Sequence, residues 1–507
     1  MDRPRGRLTL LAVGAALAAY AFFIAWYHAP YAGGSDSSGY LNSARLLLAG
    51  RLTAPLTPPA EFPPDLLPRA LLAPLGYSPN PRGSDLVPSY PVGLPLHFAA
   101  AGRVIGLGPA ATLVAVLAAL GLVGLLYLTA RELGVRPGWA AGLAAAAGLS
   151  PLTLFYALQP MSDLVTTTWT VLAMLCALRS ARHSGWALAA GAAFSVSVLV
   201  RPTNLLLVLP ALVALVPNRR AWFTFVAGGV PGARILAAYN HALYGRILTT
   251  GYGDVSSLFA FKNVLITLSH YALWIPVVAS PLVLAAVALP FLRVSRRKKA
   301  LLVLWGGILP AFYAFYACTH EHWWYLRFIL PSLPAAGIAA VLVLQEVRFP
   351  TVLFAARLLP AGDTPANPGP GRSLQLPLTL VLVLATVAWM ASWNRELRIR
   401  HTELDERAYR LAGEWAAQNL RPGDLVVGCQ TSGALLYYAG VSSLNFNELT
   451  PEQSARFLAW LDRGARPIHA VLYPFEVDPV RAALPGRWEL VTELRQASVW
   501  RRTGPAP

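Results

Sequence analysis

The chain has 507 residues, of which 56% are hydrophobic and only 13% charged, and its mean hydropathy is +0.50. Soluble globular proteins carry about 25% charged residues, so most of this chain faces lipid. A formal net charge of +17 would point a soluble domain toward nucleic acid. Here the basic residues sit mostly in short loops between apolar runs, as in a protein oriented by its loop charges, so no nucleic-acid partner is expected.

A spanning helix needs about 20 predominantly apolar residues. In chain order, apolar runs at 8–27, 109–129, 139–158, 164–178, 186–200, 204–217, 221–238, 271–292, 300–317, 328–344 and 377–393 predict about eleven spans, several of them short. The first run is long for a signal peptide and lacks a small-residue cleavage site, so it reads as a retained span. Residues 28–108 form a long outer loop. Within it, residues 37–48 place Tyr40, Leu41, Ala44, Leu47 and Leu48 at helical spacing, the Pro-rich stretch 55–91 reads as too broken for regular elements, and 92–107 reads as a surface-lying helix. A loop this long in a compact protein is usually functional.

Loop charge orients the chain. With the N-terminus inside, the inner loops hold Arg3, Arg5, Arg7, Arg131, Arg136, Arg179, Arg182, Arg219, Arg220, Arg293, Arg296, Arg297, Lys298, Lys299, Arg348, Arg357 and Arg372, against Arg201, Arg246, Lys262 and Arg327 in the short outer loops. The bias is roughly four to one, and an odd number of spans puts the C-terminus outside. After Trp393 the composition becomes charged. Helices at 402–419, 432–439 and 451–464, strands at 424–429 and 469–473, and a hairpin at 488–494 with 497–501 predict a small α/β domain over 394–507. The expected architecture is an α-helical polytopic membrane protein, with a transmembrane domain over 1–393 and a small soluble C-terminal α/β domain outside.

Two carboxylates fall on the predicted outer face. Asp36 lies in Gly33-Gly34-Ser35-Asp36-Ser37-Ser38-Gly39-Tyr40, and Asp163 lies in Gln159-Pro160-Met161-Ser162-Asp163 at the start of the fourth run. Each suits a helix N-cap, a role Ser162 can fill in place of Asp163. Each also suits proton transfer, one carboxylate taking a proton while the other orients an acceptor or a metal. Arg201, Arg234, Lys262 and Arg327 are cations in or beside spans, read either as interfacial anchors or as partners of an anion. Arginine suits phosphate in particular, because its planar fork donates in pairs. In His320-Glu321-His322, the histidines share a face only in a strand and no third ligand is evident. The three cysteines, Cys176, Cys318 and Cys429, give neither a disulfide framework nor a zinc spacing. The C-terminal segment has no GxGxxG or P-loop, so no nucleotide is expected there; a divalent cation, Mg or Mn, is the cofactor that the paired carboxylates leave open.

Four stretches together resemble the C-type (GT-C) membrane glycosyltransferases of the dolichyl-phosphate-mannose mannosyltransferase kind, including bacterial enzymes that move sugars or aminoarabinose from polyprenyl phosphate. They are Asp36–Tyr40 with Ala44 and Gly50; Ser89-Tyr90-Pro91-Val92-Gly93-Leu94-Pro95; Tyr239-Asn240 with Tyr244-Gly245 and Thr250-Gly251-Tyr252; and Leu326-Arg327-Phe328 with Pro331 and Pro334. The resemblance covers residues 8–345. It implies a polyprenyl-phosphate-sugar donor at the outer face of a bacterial inner membrane and inverting transfer to a glycan, lipid or protein acceptor. It implies Asp36 as base with Asp163 as second carboxylate, and Tyr40, Arg201, Arg234, Tyr252, Lys262, His320, His322 and Arg327 as substrate-binding residues. Two features depart from the family: Asp36 is followed by Ser37 rather than Glu, and no repeated sugar-binding module follows. A flippase for a lipid-linked saccharide is the alternative; it requires mid-span ionisable residues and pseudo-symmetry, and no internal repeat is visible.

Overall fold

The computed structural model describes residues 3–56, 58, 62–215, 219–346, 375–421, 424–464 and 466–505. Its first helix, α1 (Arg3–Tyr27), is apolar on all sides, and Leu8, Leu10, Leu11, Phe22 and Trp26 are exposed. A helix apolar all round and unburied belongs in lipid. The helices α2 (Asp36–Leu48), α3 (Gly93–Ile105) and α4 (Leu107–Glu132) follow. At 13 residues, α3 extends only about 20 Å, less than the roughly 30 Å hydrocarbon core. It is a separate short helix, ended by Gly106 at φ 81.

The rest of the bundle comprises α5 (Pro137–Leu149), α6 (Pro151–Ala157), α7 (Ser162–Arg179), α8 (Ser184–Val200), α9 (Val208–Ala214), α10 (Arg219–Tyr244), α11 (Asn263–Ala279), α12 (Arg296–Tyr313), α13 (Leu333–Leu344) and α14 (Gln375–Glu396). Two expected spans are not single straight helices. The run 139–158 divides into α5 and α6, bent by 54°, and the run 271–292 divides into α11 and a 3-10 segment, Pro281–Phe291, bent by 109°. Each break falls at a Ser-Pro pair, Ser150-Pro151 and Ser280-Pro281. The proline ring disfavours helical torsions in the preceding residue, and Ser150 accordingly sits at ψ 133 and Ser280 at ψ 145. The run 204–217 likewise divides into a 3-10 turn, Pro202–Leu207, and α9. Among the described residues, four helices are long and apolar enough to cross a membrane, or up to six if each bent pair is one span. The chain is an integral membrane protein. The expected inner charges Arg348, Arg357 and Arg372 lie outside the described residues.

The first loop is more regular than its prolines imply. A 3-10 turn, Arg69–Leu72, precedes the hairpin of β1 (Tyr77–Pro79) and β2 (Leu86–Pro88). Pro79 and Pro88 sit at the ends of this two-stranded ribbon, where the missing N–H is not needed.

The C-terminal helices are α15 (Thr402–Asn419), α16 (Ser432–Ala439), α17 (Pro451–Arg463) and α18 (Pro474–Ala483). The strands are β3 (Leu425–Val427), β4 (Ser442–Leu444), β5 (Ile468–Leu472), β6 (Arg487–Leu494) and β7 (Ala497–Gly504), in sheet order β4-β3-β5-β7-β6. The first three strands pair in parallel and the hairpin antiparallel. Sequence reading missed β4 and α18.

This segment is not packed apart from the first loop. Phe62, Leu67, Leu71 and Leu72 of the loop share one apolar core with Leu444, Phe446, Phe457 and Leu472. Arg45 of α2 donates to the carbonyls of Leu436 (3.2 Å) and Tyr437 (2.5 Å), where a cation satisfies the open end of α16. Asn42 donates to Gly433 O at 3.0 Å. α2 is therefore buried on its polar side too, at Ser37, Ser38, Asn42 and Ser43, and not only at Tyr40, Leu41 and Ala44.

Candidate active site

A cleft of about 540 Å³ opens between the bundle and α15, in the size range of a ligand pocket. Asp36 and Arg327 line it together with Tyr90, Tyr156, Trp324 and Tyr325, and α15 and its neighbours contribute Glu406, Tyr409 and Gln430.

Neither aspartate caps its helix. α2 begins at Asp36 itself, Ser35 precedes it, and no side chain caps that end. α7 begins at Ser162 after Met161, again without a side-chain cap, so the expectation that Ser162 caps it does not hold. Each carboxylate instead reaches a distant arginine from the first turn of its helix, where the helix dipole favours negative charge. Asp36 Oδ2 accepts from Arg327 Nη1, and Asp163 Oδ1 accepts from Arg201 Nη1. The pairs differ in burial: the Asp163 side chain is 1% exposed, whereas that of Asp36 is 20% exposed and faces the cleft. Phe328 joins them, its ring centre 5.2 Å from the Cζ atoms of both Arg201 and Arg327, a distance at which guanidinium groups are attracted to ring faces.

Arg327 is carried by the 3-10 segment Trp323–Ser332. That segment is pinned by the fully buried Trp305, whose Nε1 donates to Pro331 O (2.8 Å) and whose carbonyl accepts from Ser332 Oγ (2.8 Å). Tyr40 donates to Ser162 Oγ at 3.0 Å, tying α2 to α7. Tyr90 lies against Tyr40, ring centres 5.0 Å apart, and its hydroxyl is 2.7 Å from Ser35 Oγ. Tyr252 meets the edge of Tyr90 at 5.9 Å.

Burial pushes the pKa of Asp36 up, but the charge of Arg327, a hydrogen bond from Tyr90 and the charge of Arg201 together outweigh it and hold the carboxyl below its ordinary value. Tyr90 is pushed up by burial and by the charge of Asp36, so it remains a protonated donor. Glu406 stands in contrast. Burial, with Asp405 adding like charge, pushes it up to about 7.

The remaining candidates lie elsewhere. Arg234 is exposed on α10, and Lys262 is exposed ahead of α11; neither lines the cleft. His320 Nδ1 is 3.1 Å from Thr267 Oγ1, while His322 stacks on Trp324 at 4.3 Å on the rim. Among the described residues no group of three or more His, Cys, Asp or Glu side chains forms a metal-holding cluster, and both aspartates are paired with arginines. Sequence reasoning missed Tyr156, Glu406, Tyr409 and Gln430 as cleft residues. Tyr90 is visible in the sequence only as part of the 89–95 motif.

The model of the dolichyl-phosphate-mannose-protein mannosyltransferase family matches residues 105–237, α4 to α10 for the most part. A comparison of the sequence with curated proteins finds no match. Among solved structures, ArnT from Cupriavidus metallidurans bound to undecaprenyl phosphate is similar over 97% of this chain and 98% of its own, with 17% identity and a TM-score of 0.58. The oligosaccharyltransferase AglB from Archaeoglobus fulgidus, in complex with an inhibitory peptide and a dolichol-phosphate, is similar over 92% of this chain and 69% of its own, with 10% identity and a TM-score of 0.54. The chain has the fold shared by these solved structures, the GT-C fold.

Proposed function

We propose that the protein is an inverting glycosyltransferase that moves a sugar from a polyprenyl-phosphate carrier to an acceptor at the outer face of a bacterial inner membrane. On this reading the N-terminus is cytoplasmic, about eleven segments cross the membrane, and 394–507 is an extracytoplasmic domain. The observation that carries the proposal is the Asp36–Arg327 pair, a carboxylate and a phosphate-suited cation side by side at an open, aromatic-walled cleft. The carriers named with ArnT and AglB, undecaprenyl phosphate and dolichol-phosphate, are of the same class.

In the proposed reaction the acceptor hydroxyl attacks the anomeric carbon, and its proton passes to Asp36. The new bond is acceptor oxygen to carbon; the broken bond is carbon to phosphate oxygen, and that oxygen keeps the electron pair. One displacement inverts the carbon. A phosphate leaves readily, so no strong general acid is needed, and Arg327 offsets the growing charge. Arg327 makes one Nη1 contact to Asp36, and its buried Nε has no partner among the described residues, so donors remain for a phosphate. When phosphate draws Arg327 toward itself, Asp36 loses counter-charge and becomes a stronger base once the donor is bound. Asp163 and Arg201 hold this arrangement in place through Phe328.

The test is incubation of the purified protein with a lipid extract of its membranes, followed by mass spectrometry. Free polyprenyl phosphate should accumulate with time. A flippase would move lipid-linked sugar between leaflets of a vesicle and release none, which would overturn the transferase reading.

A further inference from the structure

The side of the cleft formed by α15 holds a carboxylate that the reaction above does not use. Gly33, three residues before Asp36, packs so closely on Glu406 that a Cβ there would lie 1.8 Å from Oε2 and 3.0 Å from a ring carbon of Tyr409. Gln430 Nε2 donates to the Tyr409 hydroxyl at 2.7 Å, and both groups stand over Gly34. Glu406, Tyr409 and Gln430 thus form one polar ledge against the Gly33-Gly34 turn that leads into Asp36. The cations nearest Glu406 along α15 are committed elsewhere, Arg407 to Glu403 and Arg410 to Glu414. Its charged neighbour is the like-charged Asp405. Among the described residues no cation forms an ion pair with the Glu406 carboxylate, yet it faces the cleft.

The chemistry of this wall is specific. A carboxylate accepts strong hydrogen bonds from hydroxyls, and an amide both donates and accepts. The same cleft is lined by the rings of Tyr90, Trp324 and Tyr325, and the negative π faces of such rings attract the polarised C–H groups of a pyranose. Hydroxyl-reading polar groups and aromatic rings sharing one cleft fit a polyhydroxylated ligand.

We propose that Glu406, with Gln430 and Tyr409, is the acceptor subsite, and that the acceptor presents a saccharide there. This rests on the transferase reading, because the ledge takes its meaning from its place against the turn that leads into Asp36. Glu406 is an acceptor-positioning residue; the proton still passes to Asp36.

The experiment uses the full chain in nanodiscs. Saturation-transfer NMR with methyl pyranosides of mannose, glucose and galactose measures saccharide binding, and tryptophan fluorescence under undecaprenyl phosphate titration measures carrier binding. Wild-type protein should bind at least one glycoside, Glu406→Gln should weaken it about tenfold, as expected for loss of a charged hydrogen-bond acceptor, and both proteins should bind the carrier equally. Equal glycoside binding by Glu406→Gln, or no glycoside binding by wild type, overturns the subsite. Absence of carrier binding in wild type overturns the transferase reading instead. Retained carrier binding in the variant also shows that it folds.

Discussion

Replacing Asp36 by asparagine removes the proposed base and keeps its shape. Two costs follow from the structure, and they are separable. The stability cost comes from Arg327, whose side chain is 17% exposed and would lose its ionic partner. With partial water access this is about 1–3 kcal/mol, below the cost of breaking a fully buried pair. The catalytic cost is the loss of proton transfer from the acceptor hydroxyl, about 10²–10⁴ in rate, or roughly 3–5 kcal/mol of barrier. Release of polyprenyl phosphate, per mole of folded protein and at a temperature where both proteins are folded, isolates the second cost. Carrier binding by fluorescence should be kept. A variant that turns over within about threefold of wild type would remove Asp36 from the mechanism and leave it a structural partner of Arg327.

Arg327→Gln removes the main influence that holds Asp36 low and leaves burial opposed only by the Tyr90 hydrogen bond and the charge of Arg201; the acid limb of the kcat/KM profile should move to higher pH, and an unmoved limb would show that Asp36 is not the titrating base. Arg201→Gln strands the carboxylate of Asp163, which is 1% exposed, and should cost about 3–5 kcal/mol, read as a lowered Tm in the same detergent. Glu406 is pushed up to about 7 in the folded protein against an ordinary value of about 4.3 in the unfolded chain. The folded state therefore binds the extra proton between these values, and this contribution is full below the lower one and lost as pH rises through the upper one. Glu406→Gln should then gain stability relative to wild type between pH 4 and pH 8, by about 1–3 kcal/mol, and a constant difference across that range would contradict the assignment.

The local pattern carried far in the C-terminal segment. The predicted helix 402–419 is α15 to the residue, because its amphipathic period is undisturbed, and the hairpin follows from alternation alone. β4 is three residues long, too short for any period, and α18 opens on Pro474 and contains Pro479, both of which read as breakers. In the bundle, composition located the apolar runs but not the two bends, which the Ser-Pro pairs signalled.

The sequence by itself determined that the chain lies in lipid, where its long first loop runs, and that Asp36 and Asp163 open helices, because hydropathy, charge and period are local quantities. Only the tertiary structure decided what those residues do. Asp36 meets Arg327 across 291 positions, Asp163 meets Arg201 across 38, and Arg234, an equal candidate by composition, faces outward. Periodicity says which side of a helix is apolar, not which other helix will lie against it. That is also why Glu406, unremarkable on a soluble amphipathic helix, became a wall of the cleft only when α15 closed over Gly33.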